Sequence, residues 1–308
     1  RVLFRSTFTL ILFRRGIGGF LFSPSRFIRQ SARADSDRKH TASDFLRIQN
    51  QHTNITVKEI TMKFGGLVAV NHVSLDIPAH QITALVGPNG SGKSTLVNVI
   101  AGVFPPTGGQ IFLSDMDVTG RSDAQMAQLG VIRTFQDPRL VPHFTVRENI
   151  LLGAHARMSY SWLEAGLGAP RAYKQEVLAL EQCQSIIELL EIGDVADRAV
   201  ESLPYGYRRM AELGRALMAA PKVILLDEPA AGLSDLEMSR LDSILKKIKS
   251  LGITILLIEH HMEFLADLVD EVVVLDSGSI IFHGSMLDMR QDPGVIEAYL
   301  GMEGAEHA

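Results

Sequence analysis

The sequence predicts an α/β fold built on a mostly parallel sheet, and three observations support this prediction. Two short apolar runs, 81–86 (QITALV) and 222–226 (KVILL), are typical of strands buried on both faces of a parallel sheet. A glycine-rich loop joins the first run to a segment of helical character at 94–102. Two acidic residues, Asp227 and Glu228, directly follow the second run. Because the carboxyl ends of parallel strands share one edge of a sheet, the loop and the acidic pair are expected to lie together.

The glycine-rich loop contains the complete pattern G-x-x-x-x-G-K-[ST]. In order, its residues are Gly87, Pro88, Asn89, Gly90, Ser91, Gly92, Lys93, Ser94 and Thr95. Glycine lets a backbone close around an anion, and the following helix contributes the positive end of its dipole. At these positions a lysine reaches the β- and γ-phosphates of a nucleotide, and a serine hydroxyl binds Mg²⁺. A turn that binds nothing is the alternative, but the flanking strand and helix favour a nucleoside triphosphate site.

Composition and charge restrict the class of protein and the kinds of partner that are possible. The 308 residues are 46% hydrophobic and 21% charged, which is typical of a folded protein with a substantial core. The single cysteine, Cys183, excludes an internal disulfide framework, and its helical surroundings favour a packed apolar role over a nucleophilic one. Residues 1–50 carry ten Lys and Arg against three Asp and Glu, whereas the rest of the chain carries 20 against 32. A body this acidic is a poor general binder of nucleic acid, so no nucleic-acid partner is expected.

The basic first fifty residues are expected to lie outside the nucleotide-binding domain. Residues 1–6 (RVLFRS) look like a translated sequencing-library adapter and are expected to be artefactual. The apolar stretch 7–13 is far shorter than the roughly 20 residues that cross a bilayer, and two arginines follow it. Residues 1–30 are therefore interpreted as the cytoplasmic end of a preceding transmembrane helix, with a frayed or mistranslated leader as the alternative. The polar, aperiodic segment 31–53 predicts a flexible linker.

Three further strands are predicted near an aromatic residue. The segment 55–63 (ITVKEITMK) alternates like a half-buried strand, and 73–77 and 110–114 have the character of two more. Phe64 follows the first of these strands at a Gly-Gly turn. Its ring can stack on a purine, a contact worth about 1–3 kcal/mol where base stacking has been measured. It can equally pack in the core, and Phe64 alone leaves both possibilities open.

A helical insert is predicted between the two halves of the sheet. Thr145 and Glu148 form a capping box that is expected to open a helix at 149–156. The next residues, 157–170, mix glycine, alanine, tryptophan and proline and are interpreted as irregular. A second helix is predicted at 171–190 from an apolar stripe with helical spacing. The residues of this stripe are Val177, Leu180, Ile187 and Leu190.

Three side chains that follow predicted strands have the chemistry to complete a phosphate site. Gln136 follows a strand predicted at 131–135, and a glutamine there can ligate Mg²⁺ and orient water, although most loop glutamines do neither. Asp227 can hold Mg²⁺ through a water molecule, and Glu228 can take a proton from an attacking water. Two acids before a proline can also simply end a strand. The phosphate loop upstream favours the chemical role.

The order of several motifs makes a family resemblance specific. The loop at 87–95, Gln136, LPYGY (203–207) before a helix, ILLDEP (224–229) and ITILLIEH ending at His260 follow one another along the chain. In this order they resemble the ATPase subunits of ATP-binding cassette (ABC) transporters. The resemblance implies the fold of a P-loop NTPase, in which a RecA-like core sheet is combined with an antiparallel β-subdomain and an inserted α-helical subdomain.

The resemblance also implies a domain division and a subfamily. It covers 54–303 as the nucleotide-binding domain and leaves 304–308 as a tail. The strings FGGLVAVN, RTFQ, LDEPAAGL, LLIEHHMEF and DPGVIEAYLG are similar to those of importers for branched-chain and other hydrophobic amino acids. Some of those importers carry the ATPase fused behind a membrane permease. Residues 1–30 are therefore interpreted as the remnant of such a permease.

Residue roles follow from the resemblance position by position. Phe64 would stack on the adenine ring, and Gln136 would sense Mg²⁺ and the γ-phosphate. Glu228 would be the general base, and His260 would contact the γ-phosphate. His261 competes with His260 for this last role, and the position directly after the strand favours His260.

The signature segment departs from the family pattern L-S-G-G-Q. Its residues are Leu203, Pro204, Tyr205, Gly206 and Tyr207. Proline in place of serine removes a hydroxyl and an N–H group. Gly206 remains near the start of a helix that can direct N–H groups at an anion. The departure is expected to affect the rate of hydrolysis more than the reaction.

Partners follow from the resemblance as well. In this family the signature closes the nucleotide site of a second copy, so a head-to-tail dimer around two ATP–Mg²⁺ is expected. A transmembrane permease and, indirectly, a periplasmic solute-binding protein would place the chain at the cytoplasmic face of the inner (plasma) membrane. One alternative is the ATPase of a lipopolysaccharide or phospholipid transporter. Another is a soluble ABC-type ATPase or nucleotide switch, although the sequence has neither the long coiled coils nor the second cassette typical of such proteins.

Overall fold

The described part of the chain covers most of the predicted nucleotide-binding domain. The computed structural model describes residues 52–134, 138–156 and 170–303. The predictions for 1–51, for Gln136, for the irregular residues 157–169 and for the tail 304–308 lie outside these ranges. Within the described ranges, no helix combines the length and the apolar character needed to cross a membrane.

The described residues form ten strands and nine α-helices. The strands are β1 (Ile55–Phe64), β2 (Leu67–Ile77), β3 (Ile82–Val86), β4 (Gly108–Leu113), β5 (Met116–Asp117), β6 (Val131–Arg133), β7 (Val223–Asp227), β8 (Thr254–Ile258), β9 (Glu271–Asp276) and β10 (Ser279–Gly284). The helices are α1 (Lys93–Ile100), α2 (Asp123–Gln128), α3 (Val146–Leu151), α4 (Pro170–Leu189), α5 (Tyr205–Met218), α6 (Asp235–Ser250), α7 (Met262–Ala266), α8 (Met286–Met289) and α9 (Pro293–Glu303). Short 3₁₀ turns follow α3 at Leu152–Ala156 and precede α5 at Gly193–Val195 and Val200–Ser202.

Two sheets organise these elements. The core sheet has the order β10-β9-β3-β8-β7-β6, with parallel pairing from β6 to β9 and antiparallel pairing of β10 with β9. The second sheet has the order β2-β1-β4-β5 and is antiparallel. Helices α3 to α5 lie between β6 and β7 in the chain. The predicted α/β fold, with an antiparallel β-subdomain and a helical insert, is confirmed.

The strands of the core sheet are buried on both faces. In β7, Ile224 and Leu226 belong to the apolar core that includes α4, α5 and α6, whereas Val223 and Leu225 belong to a second core with α1 and the antiparallel sheet. Two-sided burial explains why these strands are uninterrupted apolar runs. Helix α1 contributes Leu96 to the second core, so it packs between the two sheets. This packing fixes the loop that precedes α1.

The predicted start of the first helix of the insert was wrong by three residues. Helix α3 begins at Val146, not at 149. The capping box explains the difference: the Thr145 hydroxyl accepts the Glu148 N–H at 3.1 Å, and the Glu148 carboxylate accepts the Thr145 N–H at 2.8 Å. Because the cap residue directly precedes the first helical residue, a cap at Thr145 starts the helix at the next position.

The apolar stripe predicted on the second helix was partly wrong. Helix α4 buries a line through Ala179, Cys183 and Ile187, whereas Leu180 is exposed. With 3.6 residues per turn, position 180 lies about 100° around the helix from Ala179 and about 60° from Cys183. Cys183 is fully buried as predicted, and burial raises the pKa of its thiol to about 12. Its role is therefore packing.

Candidate nucleotide-binding site

The loop before α1 is held in place by two glycines. A Cβ atom at Gly87 would lie 2.0 Å from the carbonyl oxygen of Leu275 in β9, and one at Gly92 would lie 2.3 Å from the carbonyl oxygen of Ala69 in β2. Both glycines have positive φ angles, 139° and 101°. A side chain at either position would collide with backbone in a conformation that L-residues avoid. The loop therefore touches both sheets at the carboxyl end of β3.

Lys93 places a positive charge inside this loop. Its Nζ atom donates hydrogen bonds to the carbonyl oxygens of Gly87 and Pro88 at 2.8 and 2.7 Å, and to Ser91 Oγ at 3.3 Å. Burial lowers the pKa of the Lys93 ammonium, while the carboxylates of Glu228 and Asp227 act in the opposite direction. The loop lysine and the acidic pair after β7 thus lie close enough to interact electrostatically, as the shared edge of the sheet predicts.

Asp227 ends β7 and is tied to the neighbouring strand β6. Arg133 Nη2 lies 2.8 Å from Asp227 Oδ2, and both side chains are largely buried. Arg133 also donates to the side chain of Asn98 in α1, whose own amide donates to the Ser94 carbonyl at 2.6 Å. A polar chain therefore connects Asp227 to the first turn of α1. It holds the carboxylate beside the helix that carries Ser94.

Glu228 has an unusual backbone conformation. Its φ angle is +46°, in the left-handed region that costs a non-glycine residue about 1 kcal/mol or more. The Glu228 N–H donates to the Ile258 carbonyl at 3.0 Å, and the Glu228 carbonyl accepts from Arg209 Nη2 at 2.8 Å. These bonds hold the residue in a conformation that turns the chain sharply after β7. The Glu228 side chain remains about a quarter exposed.

The two adjacent histidines have different surroundings. His260 is two-thirds exposed, and its Nδ1 atom lies 3.9 Å from Glu228 Oε1. His261 instead caps helix α7, because its Nδ1 atom accepts the Phe264 N–H at 3.3 Å. The Nδ1 atom of His261 is therefore engaged in a hydrogen bond within its own helix. Of the two histidines, His260 is the one whose ring lies beside the acidic pair.

Glu259 is the buried residue that positions this segment. It is 1% exposed. Its Oε1 atom accepts the N–H groups of His260 at 2.9 Å and His261 at 3.3 Å, and its Oε2 atom accepts the Ala230 N–H at 3.1 Å. One carboxylate therefore joins the segment after β8 to the segment after β7. It fixes His260 relative to Glu228.

Phe64 ends β1 at the tight turn that leads into β2. It is 43% exposed and meets Phe104 edge to face, with ring centroids 5.6 Å apart. Phe104 follows α1 and is itself 37% exposed. Of the two roles left open for Phe64, burial in the core is the one that this exposure disfavours. Its free ring surface can accept a stacked base.

The signature segment forms the entry to α5. Leu203 is buried, and Pro204 takes the cap position without a side-chain hydrogen bond. Gly206 is packed against α6, since a Cβ atom there would lie 2.0 Å from Glu237 Oε1. The Tyr207 hydroxyl donates to Asp194 Oδ2 at 3.2 Å.

Tyr205 is the signature residue that lies beside the segment following β7. A Cβ atom at Gly232 would lie 3.5 Å from the Tyr205 ring. The guanidinium groups of Arg208 and Arg209 lie 5.9 and 5.5 Å from the centre of the same ring. The two tyrosines, which replace the first glycine and the glutamine of the family pattern, are thus packed within their own chain.

Several residues that contact the site were not among the predicted site residues. Arg133, Arg209 and Glu259 are largely buried, and their hydrogen bonds join segments that are distant in the chain. Tyr299 in α9 is another, because its hydroxyl accepts the backbone N–H of Gly87 while burial raises the pKa of its phenol. The string that contains Tyr299 was noticed only as a family resemblance. Glu259 directly follows the apolar run of β8, and a charged residue in this position is the kind of signal that indicates such a contact.

The fold and the site together define a class of protein. A strand–loop–helix unit holds a lysine beside an acidic pair at the carboxyl edge of a parallel sheet, with an antiparallel sheet packed on one side. This is the architecture of a P-loop nucleotide-binding cassette. The chain belongs to the ABC transporter family, whose model matches residues 70–231.

Curated relatives and solved structures are similar to this chain over most of its length. The high-affinity branched-chain amino acid transport ATP-binding protein BraF of Pseudomonas aeruginosa is 37% identical over 248 residues, which is 80% of this chain and 97% of the relative. LivG of Escherichia coli, with the same description, has the same identity and coverage. A solved ATP-binding cassette of an ABC transporter in its ADP conformation is 32% identical, with a TM-score of 0.72 over 82% of this chain and 100% of that one. A nucleotide-free cassette has a TM-score of 0.70 at 32% identity, over 80% and 98% of the two chains.

The three hydrogen bonds accepted by Glu259 predict a stability effect. Glu259→Gln replaces one accepting oxygen by an amide nitrogen and leaves a buried donor without its partner, so the free energy of unfolding should fall by about 1–3 kcal/mol. Urea unfolding followed by circular dichroism measures this change. Glu263→Gln, on an exposed position of the neighbouring helix, is the matched control and should change stability by less than about 1 kcal/mol. Equal stability of the two variants would show that Glu259 does not support this segment.

Proposed function

We propose that this chain hydrolyses ATP as the energy-supplying subunit of an ABC importer for branched-chain or other hydrophobic amino acids. The observation that carries the proposal is the meeting of Lys93, Asp227, Glu228 and His260 at one edge of the core sheet. The likeness to BraF and LivG over nearly their whole length supports the transported class.

ATP would occupy the loop and the edge of the antiparallel sheet. The residues proposed to hold its phosphates are Gly87, Pro88, Asn89, Gly90, Ser91, Gly92, Lys93, Ser94 and Thr95. The exclusion of any Cβ atom at Gly87 and Gly92 keeps the loop against the two sheets and so fixes the backbone that would surround the phosphates. Phe64, with its exposed ring, would stack on the adenine. Lys93 would neutralise the β- and γ-phosphates.

The residues present also fit a magnesium ion. Mg²⁺ prefers oxygen ligands and is usually held by one or two protein groups together with substrate phosphates. The Ser94 hydroxyl and the Asp227 carboxylate supply such oxygens, Asp227 through a water molecule, and Gln136 would add a third. Arg133 and Asn98 hold Asp227 near the first turn of α1, which brings these donors to the same helix end. When bound, the ion would offset the negative charge of the phosphates.

Glu228 is proposed as the general base for the attacking water. Its carboxylate is partly exposed and lies beside the loop lysine, and its backbone is held by hydrogen bonds on both sides. A base of this kind contributes about 10²–10⁴-fold to a rate. His260, whose ring lies next to Glu228, would donate to the γ-phosphate and fix the water against the base. Glu259 accepts the N–H groups of His260, His261 and Ala230 and would influence hydrolysis by holding these segments in place.

The signature would complete the site of a second copy. Gly206 near the start of α5 would present N–H groups to the γ-phosphate of the partner's nucleotide. Pro204 offers neither N–H nor hydroxyl, so this contact would be weaker than in the usual pattern. Two ATP–Mg²⁺ would thus join two ATPase subunits head to tail, and hydrolysis would release them. The difference in contact between ATP and ADP supplies the energy for opening.

The other proposed partners are membrane components. A transmembrane permease would receive the opening and closing of the dimer, and a periplasmic solute-binding protein would deliver the amino acid. The chain would then work at the cytoplasmic face of the inner membrane. Gln136, between the core sheet and the helical insert in the chain, would pass the movement to the permease.

Removing the proposed base separates binding from turnover. Glu228→Gln should keep ATP binding, accumulate an ATP-bound dimer and lower phosphate release by roughly 10²-fold or more. Phosphate release with Mg²⁺–ATP and size-exclusion chromatography in ATP measure the two effects. Glu263→Gln serves as the control for a surface change of the same chemistry. Undiminished turnover of Glu228→Gln would remove Glu228 from this role.

Substitutions at the two histidines are expected to have different effects on turnover. His260→Ala should lower turnover by about 10²-fold, the effect of losing one donor to a developing charge. His261→Asn keeps a good helix cap and should leave turnover within about twofold of the original chain. Phosphate release at saturating ATP compares them directly. If His261→Asn is the variant that loses turnover, the two assignments are reversed.

The transported class is tested with the whole transporter. Cells that lack their own branched-chain uptake, supplied with this chain, its permease and its binding protein, should take up labelled leucine in competition with isoleucine and valine. Lys93→Ala in the same cells should abolish uptake because it removes the phosphate contact. ATP turnover stimulated by lipid, without amino-acid uptake, would favour the lipid-transport alternative instead.

A further inference from the structure

A cluster of buried charges lies on α5, behind the signature. Arg209 is 5% exposed and Glu212 is 3% exposed. Arg209 Nη1 lies 3.3 Å from Glu212 Oε2, and Arg215 Nη2 lies 3.9 Å from Glu212 Oε1. Burying such charges has a desolvation cost that the pairing alone often does not recover. The cluster also makes three further contacts, which add to the pairing of these charges.

The first of these contacts reaches the proposed base. Arg209 Nη2 donates to the Glu228 carbonyl at 2.8 Å. This carbonyl also accepts the Ala231 N–H at 3.2 Å, and it belongs to the residue with a φ angle of +46°. A charged donor makes a stronger hydrogen bond than a neutral one, and a buried site strengthens it further. Arg209 thus stabilises the backbone conformation that directs the Glu228 side chain.

The second contact reaches the signature. The Tyr205 ring lies 5.5 Å from the Arg209 guanidinium and belongs to the first turn of α5. One guanidinium group therefore contacts both the signature and the backbone of the base. A shift of the first turn of α5 changes the position of the donor on Glu228.

The third contact is made by Arg215, at the other end of the cluster. Arg215 donates to the carbonyl of Arg139, three residues after Gln136 in the chain. Burial lowers the pKa of the Arg215 guanidinium, and Glu212 opposes this change. The cluster of Arg209, Glu212 and Arg215 therefore joins the signature, the segment after β7 and the segment after β6.

We infer that Arg209 is a positioning residue that couples the signature of each subunit to the general base of the same subunit. The inference rests on the proposed head-to-tail dimer, in which the signature contacts the partner's nucleotide. ATP bound at the partner's phosphate loop contacts the first turn of α5 and shifts it. Arg209 transmits this contact to the Glu228 carbonyl and so to the carboxylate. Each base is then aligned only when the neighbouring site is filled, and hydrolysis at the two sites is cooperative.

A purely structural role for the ion pair is the competing explanation, and two variants separate them. Glu212→Gln removes the charge pair but keeps the Arg209 donor on Glu228. Arg209→Met combined with Glu212→Gln removes that donor without leaving a buried carboxylate unpaired. The difference between the two variants isolates the contacts of the Arg209 guanidinium with the Glu228 carbonyl and the Tyr205 ring.

The experiment measures phosphate release against ATP concentration for the original chain and both variants. Glu212→Gln should keep kcat within about threefold and keep the cooperativity. The double variant should lose about tenfold or more in kcat, with KM changed less than about threefold and a Hill coefficient close to one. Thermal unfolding of each variant shows whether it is folded. Equal kcat and Hill coefficients for the two variants would overturn the inference.

A second variant covers the case in which the double variant does not fold. Arg209→Lys keeps the positive charge beside Glu212, but its single amine does not reach Glu212 and the Glu228 carbonyl together. It should lower kcat and the Hill coefficient while leaving KM unchanged. A folded Arg209→Lys variant with the original kcat and cooperativity would also overturn the inference. An original chain that releases no phosphate would overturn the proposed function itself, which is a different outcome.

Discussion

The close approach of the phosphate loop to two sheets is the constraint on which the rest of the site depends. Gly87 lies against the backbone of β9 and Gly92 against the backbone of β2, with no room for a Cβ atom at either contact. The core sheet and the antiparallel sheet therefore meet at the loop, and α1 is packed between them. Because the loop is held from both sides, the amino end of α1 is fixed relative to the carboxyl ends of the core strands. The residues after β7 and β8 that are proposed to act on the nucleotide are therefore fixed relative to the phosphate loop.

Buried polar contacts set the position of the side chains that are proposed to act on the nucleotide. Asp227 is held by Arg133, the Glu228 carbonyl by Arg209, and the backbone of His260 by Glu259. Each supporting group is charged and largely buried, so each has a desolvation cost that must be offset by its hydrogen bonds. Arg209 and Glu259 bind backbone groups, whereas Arg133 pairs with the Asp227 carboxylate. Such contacts maintain a left-handed residue at Glu228 and a fixed turn after β8.

Local patterns predicted much of the fold and the centre of the site. The two-sided burial of β3 and β7 made their apolar runs recognisable, and the strand–loop–helix motif placed Lys93 without ambiguity. Predictions were wrong or left open where the local sequence was compatible with more than one arrangement. Leu180 has the spacing of a buried stripe, yet the neighbours of α4 lie on the side of Cys183. Phe64 had two equivalent roles in the sequence, and its exposure at the turn after β1 disfavours the one in the core.

The sequence by itself determined the class of fold, the phosphate loop and the acidic pair, because each depends on residues that are adjacent in the chain. The tertiary structure decided which of two neighbouring histidines lies beside Glu228 and which one caps a helix. It also decided that Arg209, Glu259 and Tyr299 contact the site, since their partners are 19 to more than 200 residues away in the chain. Local propensity contains no information about such contacts, because they form only when the packing of the sheets brings distant segments together.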